Sequence, residues 1–182
     1  MLLSDGAFGS ITKVRHEVII EGTLAANPAA PGVEWLSYEF VCKPGNVTRA
    51  PCLITPYHYR LDWLMWFAAF GSYQQHPWLL HLTAQLLSDD RGPLAATLLA
   101  ADGDPFAARE LGPPRFIRAQ HYEYHYTTPE EAGVSWSSPW PRIWWKRRLV
   151  GEYFPPVSLD NPSLRKFIEG NGWAMPKRLG GK

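Results

Sequence analysis

Strict two-residue alternation near both ends of the chain, around a long middle that does not alternate, is the strongest constraint on its fold. In ITKVRHEVIIEGT, Val14, His16, Val18 and Ile20 share one side, and Lys13, Arg15, Glu17 and Glu21 share the other. Successive side chains of a strand point to opposite faces, so the pattern predicts a half-buried strand. EWLSYEFVCKPG alternates again, with Leu36, Tyr38, Phe40 and Cys42 on one side, after the proline-alanine-glycine connection LAANPAAPGV. The two read as an antiparallel hairpin with a long loop. Alternation returns in RFIRAQHYEYHYT, where Tyr122, Tyr124 and Tyr126 face one way and His121, Glu123 and His125 the other. A last strand, WWKRRLVGEYFPP, is expected to end at its double proline, which cannot donate to a ladder.

The middle reads as helical. A segment at 61–70, with Asp62 or a neighbour placed to cap it, is apolar nearly all round and is expected to be buried. Pro77 suits the first position of a second helix, in which Leu79, Leu82 and Leu86 form one stripe. A third short helix is expected at 94–101. The fold class is therefore α+β: an antiparallel or sandwich-like sheet of at least four strands, with a three-helix insertion between two strand pairs. Strands fall at about 11–43 and 115–154 and helices at about 61–101, within one domain of residues 1–169, followed by a loose tail at 170–182. A chain of 182 residues is long enough for one domain with a real core. The longest apolar run is about half of the roughly 20 residues that cross a bilayer, so the chain as it stands is expected to be soluble.

Composition narrows the function. A net charge of +1 gives no electrostatic footprint for nucleic acid. WWKRRLVGEY does mix rings with cations, as single-strand binders do, but on a near-neutral chain it reads as structure or protein contact. Nine Trp, eight Tyr and eight Phe cannot all sit at the centre of one small domain, so some are expected to form a surface that meets another molecule. There is no Gly-x-Ser-x-Gly elbow and no phosphate-cradling glycine loop. His121, Glu123 and His125 would share a strand face, but two-residue steps of about 6.6 Å put the outer pair about 13 Å apart, too far for one metal. No metal and no other cofactor is expected. Cys42 and Cys52, the only cysteines, are spaced for a disulfide closing a short loop or for two partly buried thiols. Asn46-Val47-Thr48 in that loop is an N-glycosylation sequon, whereas Pro162 disqualifies Asn161-Pro162-Ser163. Arg60 and Asp62, either side of Leu61, are candidates for a structural ion pair.

Four blocks go further: YEFVCKPGNVTRAPCLITPYHYRLDWLMWFAAF, GSYQQHPWLLHL, DPFAARELGPPRFIRAQHYEYHY and WWKRRLVGEYFPPVSL. In this order they resemble the hallmark blocks of the lipase maturation factor family, over roughly residues 8–173. The resemblance implies endoplasmic-reticulum membrane proteins in which a multi-spanning N-terminal half precedes a lumenal C-terminal domain, and this chain resembles only the latter. It implies folding and assembly assistance to secreted lipases, including the homodimeric lipoprotein lipase type, and it assigns no catalytic residues. The expected function is then a non-catalytic domain that binds immature lipases, partnered by its own membrane-spanning half. Tyr57, Tyr59, Trp144 and Trp145 are the candidates for client contact, because they stand at element ends beside prolines, where loops surface. Trp63, Trp66 and Phe67 are expected to build core. The alternative is an enzyme, either a metal-assisted hydrolase using the His-Tyr-Glu-Tyr-His stretch or a thiol-redox enzyme using Cys42 and Cys52, although no Cys-x-x-Cys is present.

Overall fold

The computed structural model describes residues 14–53, 59–91, 93–94, 97, 99–135 and 137–178. Four strands, β1 (Arg15–Thr23), β2 (Leu36–Ser37), β3 (Phe116–Tyr126) and β4 (Trp145–Val157), form one antiparallel sheet in the order β2-β1-β3-β4. Two helices, α1 (Arg60–Ala68) and α2 (Pro77–Leu86), lie between β2 and β3, joined by a 3-10 turn at Tyr73–Gln75; a third, α3 (Pro162–Gly170), follows β4. The fold is mixed α+β, as the alternation pattern required. The insertion helix expected at 94–101 falls partly outside the described residues, and Leu99 near its end forms an isolated bridge with Phe40.

The main partner of β1 is β3, not its neighbour in sequence. The two pair over nine positions, from Arg15↔Tyr124 to Thr23↔Phe116, whereas β2 adds only Glu21↔Ser37 and Gly22↔Leu36. The hairpin expected from EWLSYEFVCKPG is cut short because the chain turns away after Tyr38. Glu39 then donates its N–H to the Gly103 carbonyl (2.9 Å) and accepts from the Ala100 N–H (3.0 Å). Gly103 makes this approach possible: a Cβ there would lie 2.1 Å from the Glu39 carbonyl oxygen.

The half-buried reading of β1 is also overturned, because both faces of the sheet are covered. On one face Val18, Ile20, Ile117, Ala119 and Phe154 pack against Met65 and Ala69, against Leu79, Leu82 and Leu86 of α2, and against Leu164 and Ile168 of α3. On the other, Ile19, Tyr124 and Trp145 pack with Val47, Tyr122 and Trp144. The cover there is the segment 42–52. Its carbonyls take the Tyr124 hydroxyl (at Gly45, 2.7 Å) and the Trp145 indole N–H (at Arg49, 2.8 Å), and Val47 accepts both the Trp144 and Trp145 amides. Glu17, fully buried on this face, pairs with the Lys43 ammonium at 3.2 Å and with Arg15.

The C-terminal part departs most from expectation. β4 runs through Pro155 and Pro156 to Val157. It can do so because it is an edge strand with a register shift between Ile117↔Val157 and Ala119↔Phe154, where a missing N–H costs little. α3 follows, its start fixed by Asn161, whose Oδ1 accepts from the Ser163 (2.9 Å) and Leu164 (3.2 Å) amides, with Pro162 in the first turn. Residues 171–178, expected to be loose, fold back: Trp173 lies against His81 (ring centroids 4.7 Å), and Arg178 donates to the Pro113 and Pro114 carbonyls.

The Asp104 carboxylate accepts from the Phe106 (2.9 Å) and Ala107 (3.2 Å) amides and from buried Arg91 at 2.8 Å. Removing one member of a buried pair strands the other charge. Asp104→Ala is therefore expected to cost about 3–5 kcal/mol, read from the midpoint of urea unfolding.

Candidate functional site

α1 is not sealed in the core on all sides. Asp62, Met65 and Ala68 face inward, while Phe67 is 38% and Phe70, just beyond the helix, 63% exposed. Trp63 and Trp66 are half-buried beside them. The spacing explains the grouping, because positions three and four apart are neighbours on a helix surface. Ring centroids lie 5.1 Å apart for Trp63–Trp66, 5.0 Å for Trp63–Phe67, 5.3 Å for Trp66–Phe67 and 5.2 Å for Trp66–Phe70. The edge-on and tilted contacts are those that aromatic pairs favour. The expectation that Trp63, Trp66 and Phe67 are core residues is thus corrected: they form a continuous surface of rings. A helix apolar nearly all round gives no periodicity from which to tell its inner stripe from its outer one.

Beside these rings, between α1 and the segment 42–52, is a pocket of about 250 Å³. Tyr59, Trp63, Trp66 and Tyr126 line it, with Asp62 and the Cys42–Cys52 disulfide. The Arg15 guanidinium sits 5.7 Å from the centre of the Trp66 ring. The two half-cystines have Cα atoms 5.3 Å apart.

The residues singled out from sequence are distributed unevenly around this surface. Tyr59 belongs to it and is 52% exposed. Tyr57 lies outside the described residues. Trp144 is half-buried against the second core cluster. Trp145 is not a surface residue: it is 4% exposed, stacked on Tyr126 at 4.3 Å, with its indole N–H bonded to Arg49. The loop 42–52 covers the end of the sheet that sequence position suggested was open. Arg60 and Asp62 do not pair with each other, since residues two apart on a helix point to different sides. Asp62 Oδ1 instead accepts the amides of Cys42 and Lys43, each at 2.6 Å. Asn46 is exposed.

The most metal-like set does not converge. His121 Nε2 is 3.1 Å from His16 Nδ1, whereas Glu123 is engaged by His125 (2.7 Å) and by Arg148. Hydrogen bonds from His125 and then Arg148 hold the Glu123 carboxyl below its usual range. Among the described residues, no three His, Cys, Asp or Glu side chains could hold one metal ion. The cations of WWKRRLVGEY are also occupied: Lys146 bonds Glu131 at 2.6 Å, Arg147 lies over the Tyr122 ring at 4.6 Å, and Arg148 bonds Glu123. The spacing of Trp63, Trp66, Phe67 and Phe70 was the signal that sequence reasoning passed over. The exposed Trp140, in a loop before β4, carried no pattern at all.

The fold is thus an α+β domain that presents a row of tilted and edge-on rings beside a small pocket. The profile described as the lipase maturation factor C-terminal domain matches residues 2–155, and the chain belongs to that family. It is 48% identical to lipase maturation factor 1 of Homo sapiens over 174 residues, which is 96% of this chain and 28% of that protein. The Mus musculus counterpart is 48% identical over 172 residues, 94% of this chain and 28% of the relative. Lipase maturation factor 2 of Xenopus laevis is 36% identical over 171 residues, 93% of this chain and 22% of the relative. The chain thus spans no more than 28% of the length of these curated relatives. No solved structure matches it. Among the described residues, no helix is long and apolar enough to cross a membrane.

Burial, and then the neighbouring His16, lower the His121 pKa below its ordinary 6.5. Below that value the unfolded chain takes up this proton more readily than the folded one. Stability is therefore expected to be flat in this group above pH 6.5 and to fall as the pH drops from there toward the lowered folded pKa. Urea midpoints measured across this range should show the slope, and His121→Gln should reduce it, leaving the part that His81 contributes through its own burial.

Proposed function

We propose that this chain is the lumenal, non-catalytic domain of an endoplasmic-reticulum lipase maturation factor, and that it engages immature secreted lipases through the rings of α1. Family membership supports the activity class, and the names of the relatives speak of lipase maturation. The observation that carries the choice of surface is the row Trp63, Trp66, Phe67 and Phe70, held outward by a helix whose other side is fixed in the core. Folding intermediates of large proteins expose apolar surface, and pre-ordered aromatic anchors grip such surface at low entropic cost. Tyr59 and the adjoining pocket extend the same surface, and half-buried Trp144, on the second core cluster, remains a separate candidate.

A disulfide favours an oxidising compartment, and a sequon in the same loop agrees with the lumen. The relatives are much longer than this chain; from the family resemblance, a membrane-spanning half is the expected covalent partner and lipases of the lipoprotein lipase type are the expected clients. The thiol-redox and metal-hydrolase alternatives have less support. The disulfide closes a loop whose carbonyls hold Tyr124, Trp144 and Trp145, which is a structural task.

The test is rescue of secreted lipase activity in cells lacking a maturation factor, using the full-length protein. Replacing Trp66, Phe67 and Phe70 together by Ala is expected to lower recovery about tenfold or more, at the usual loss of an interface anchor, with the domain still folded by circular dichroism. Trp145→Ala, by contrast, is expected to lose about 3–5 kcal/mol of stability, as buried aromatic truncations do. Full recovery with the triple variant would refute the α1 surface as the contact.

A further inference from the structure

We infer that Asn46 is a modification site: its side-chain amide carries an asparagine-linked oligosaccharide, attached before the loop 42–52 docks on the sheet. This rests on the lumenal reading proposed above and adds a covalent partner to it. Asn46 and Thr48 are exposed, while Val47 between them turns inward against the second core cluster. The Asn46 Oδ1 accepts from both the Thr48 amide and the Thr48 hydroxyl, each at 3.0 Å. The carbonyl end of the side chain is thereby turned back on its own sequon. Nδ2, the atom that would be modified, makes no hydrogen bond to the described residues.

The loop's contacts with the body are made elsewhere. The Val47 and Arg49 carbonyls face β4, and the Asn46 backbone amide is held by Glu39 Oε2 at 3.2 Å. A sugar on Nδ2 leaves each of these intact. By contrast, Asn161-Pro162-Ser163 has the same outer pattern around a proline, and its Asn161 oxygen caps α3.

The order of synthesis sets the timing. The indole that anchors the loop at Arg49 lies 96 residues further along the chain. The sequon therefore leaves the ribosome well before the Trp145 indole that docks the loop on the sheet. In the transfer, Nδ2 attacks the anomeric carbon of a lipid-pyrophosphate-linked oligosaccharide, which is the co-reactant. The C1–N bond forms and the C1–O bond breaks; the lipid pyrophosphate leaves with the bonding electrons and the amide loses one proton.

The test uses the full-length protein from a mammalian secretory cell, digested with glycan-releasing amidase in heavy-oxygen water and read by peptide mass. In the peptide that contains Asn46, this side chain is expected to be converted to an oxygen-labelled aspartate. Asn46→Gln and, independently, Thr48→Ala should each abolish the conversion. Pro162→Ala supplies the control, because it opens a second sequon at Asn161. A sugar at Asn161 in this variant with none at Asn46 would overturn the proposal while leaving the lumenal reading intact. No sugar at either position would overturn both.

Discussion

The buried carboxylate of Asp62 decides how everything around it is placed. It sits on α1, and its Oδ1 takes the consecutive amides of Cys42 and Lys43. Lys43 in turn carries its ammonium to Glu17 at the centre of the sheet. Buried charges are costly without partners, and Asp62 finds its two on Oδ1 alone, Oδ2 making no hydrogen bond to the described residues, so these contacts have little freedom. It ties one helix, one disulfide loop and one strand into a single arrangement. It also sets the rotation of α1 about its own axis. A helix of almost uniform apolarity could bury any of several stripes. With Asp62 turned inward beside Met65 and Ala68, the rings at 63, 66, 67 and 70 have nowhere to go but out.

Phe40, Phe106 and Phe154 follow the usual preference and are buried, whereas Phe67 and Phe70 run against it. Phe is normally among the more buried residues, while Tyr and Trp need a partner for their polar atom. Here Tyr124, Trp145 and Tyr153 are satisfied internally, at Gly45, Arg49 and Ala68 respectively. Burial raises the hydroxyls of Tyr124 and Tyr153 to about 12, so both stay neutral donors at any physiological pH. Phe67 and Phe70, with no polar atom to place, are left in water. Hydrophobic burial alone would draw them in, and their position is accounted for by the fixed rotation of α1.

How much of this could be read from the sequence follows the same physics. Period-two alternation located β1 and β3 because side-chain direction in a strand is a local property, whereas β4 was read from its aromatic and β-branched run up to the double proline. Strand partners are not local, and nothing in EWLSYEFVCKPG announced that Glu39 would leave the sheet for Gly103. Burial of the charged face of β1 was hidden for a related reason: Glu17 reads as solvated until Lys43 is known to reach it. Trp145 was misplaced because its cover comes from a loop distant in sequence. α3 did carry its local signals, an asparagine cap followed by proline and an apolar pair at Leu164 and Ile168, but they are brief beside the strand patterns. For the candidate surface, Tyr59 was legible as a residue at an element end. The ring row was legible only in its spacing, and the overall apolarity of the segment masked it.

The loop 42–52 links the two halves of the functional argument. Its inner side completes the core over Tyr124 and Trp145, and its outer side bears the sequon, while its disulfide ends line the pocket beside α1. Opening the disulfide would therefore act at two places. It would loosen the cover on the second face of the sheet and free the backbone amides that orient Asp62. Under the proposed reading, the oxidised loop is what keeps the rings of α1 presented. Client binding would then depend on the redox state of the domain, even though the two sulfurs need never touch the client.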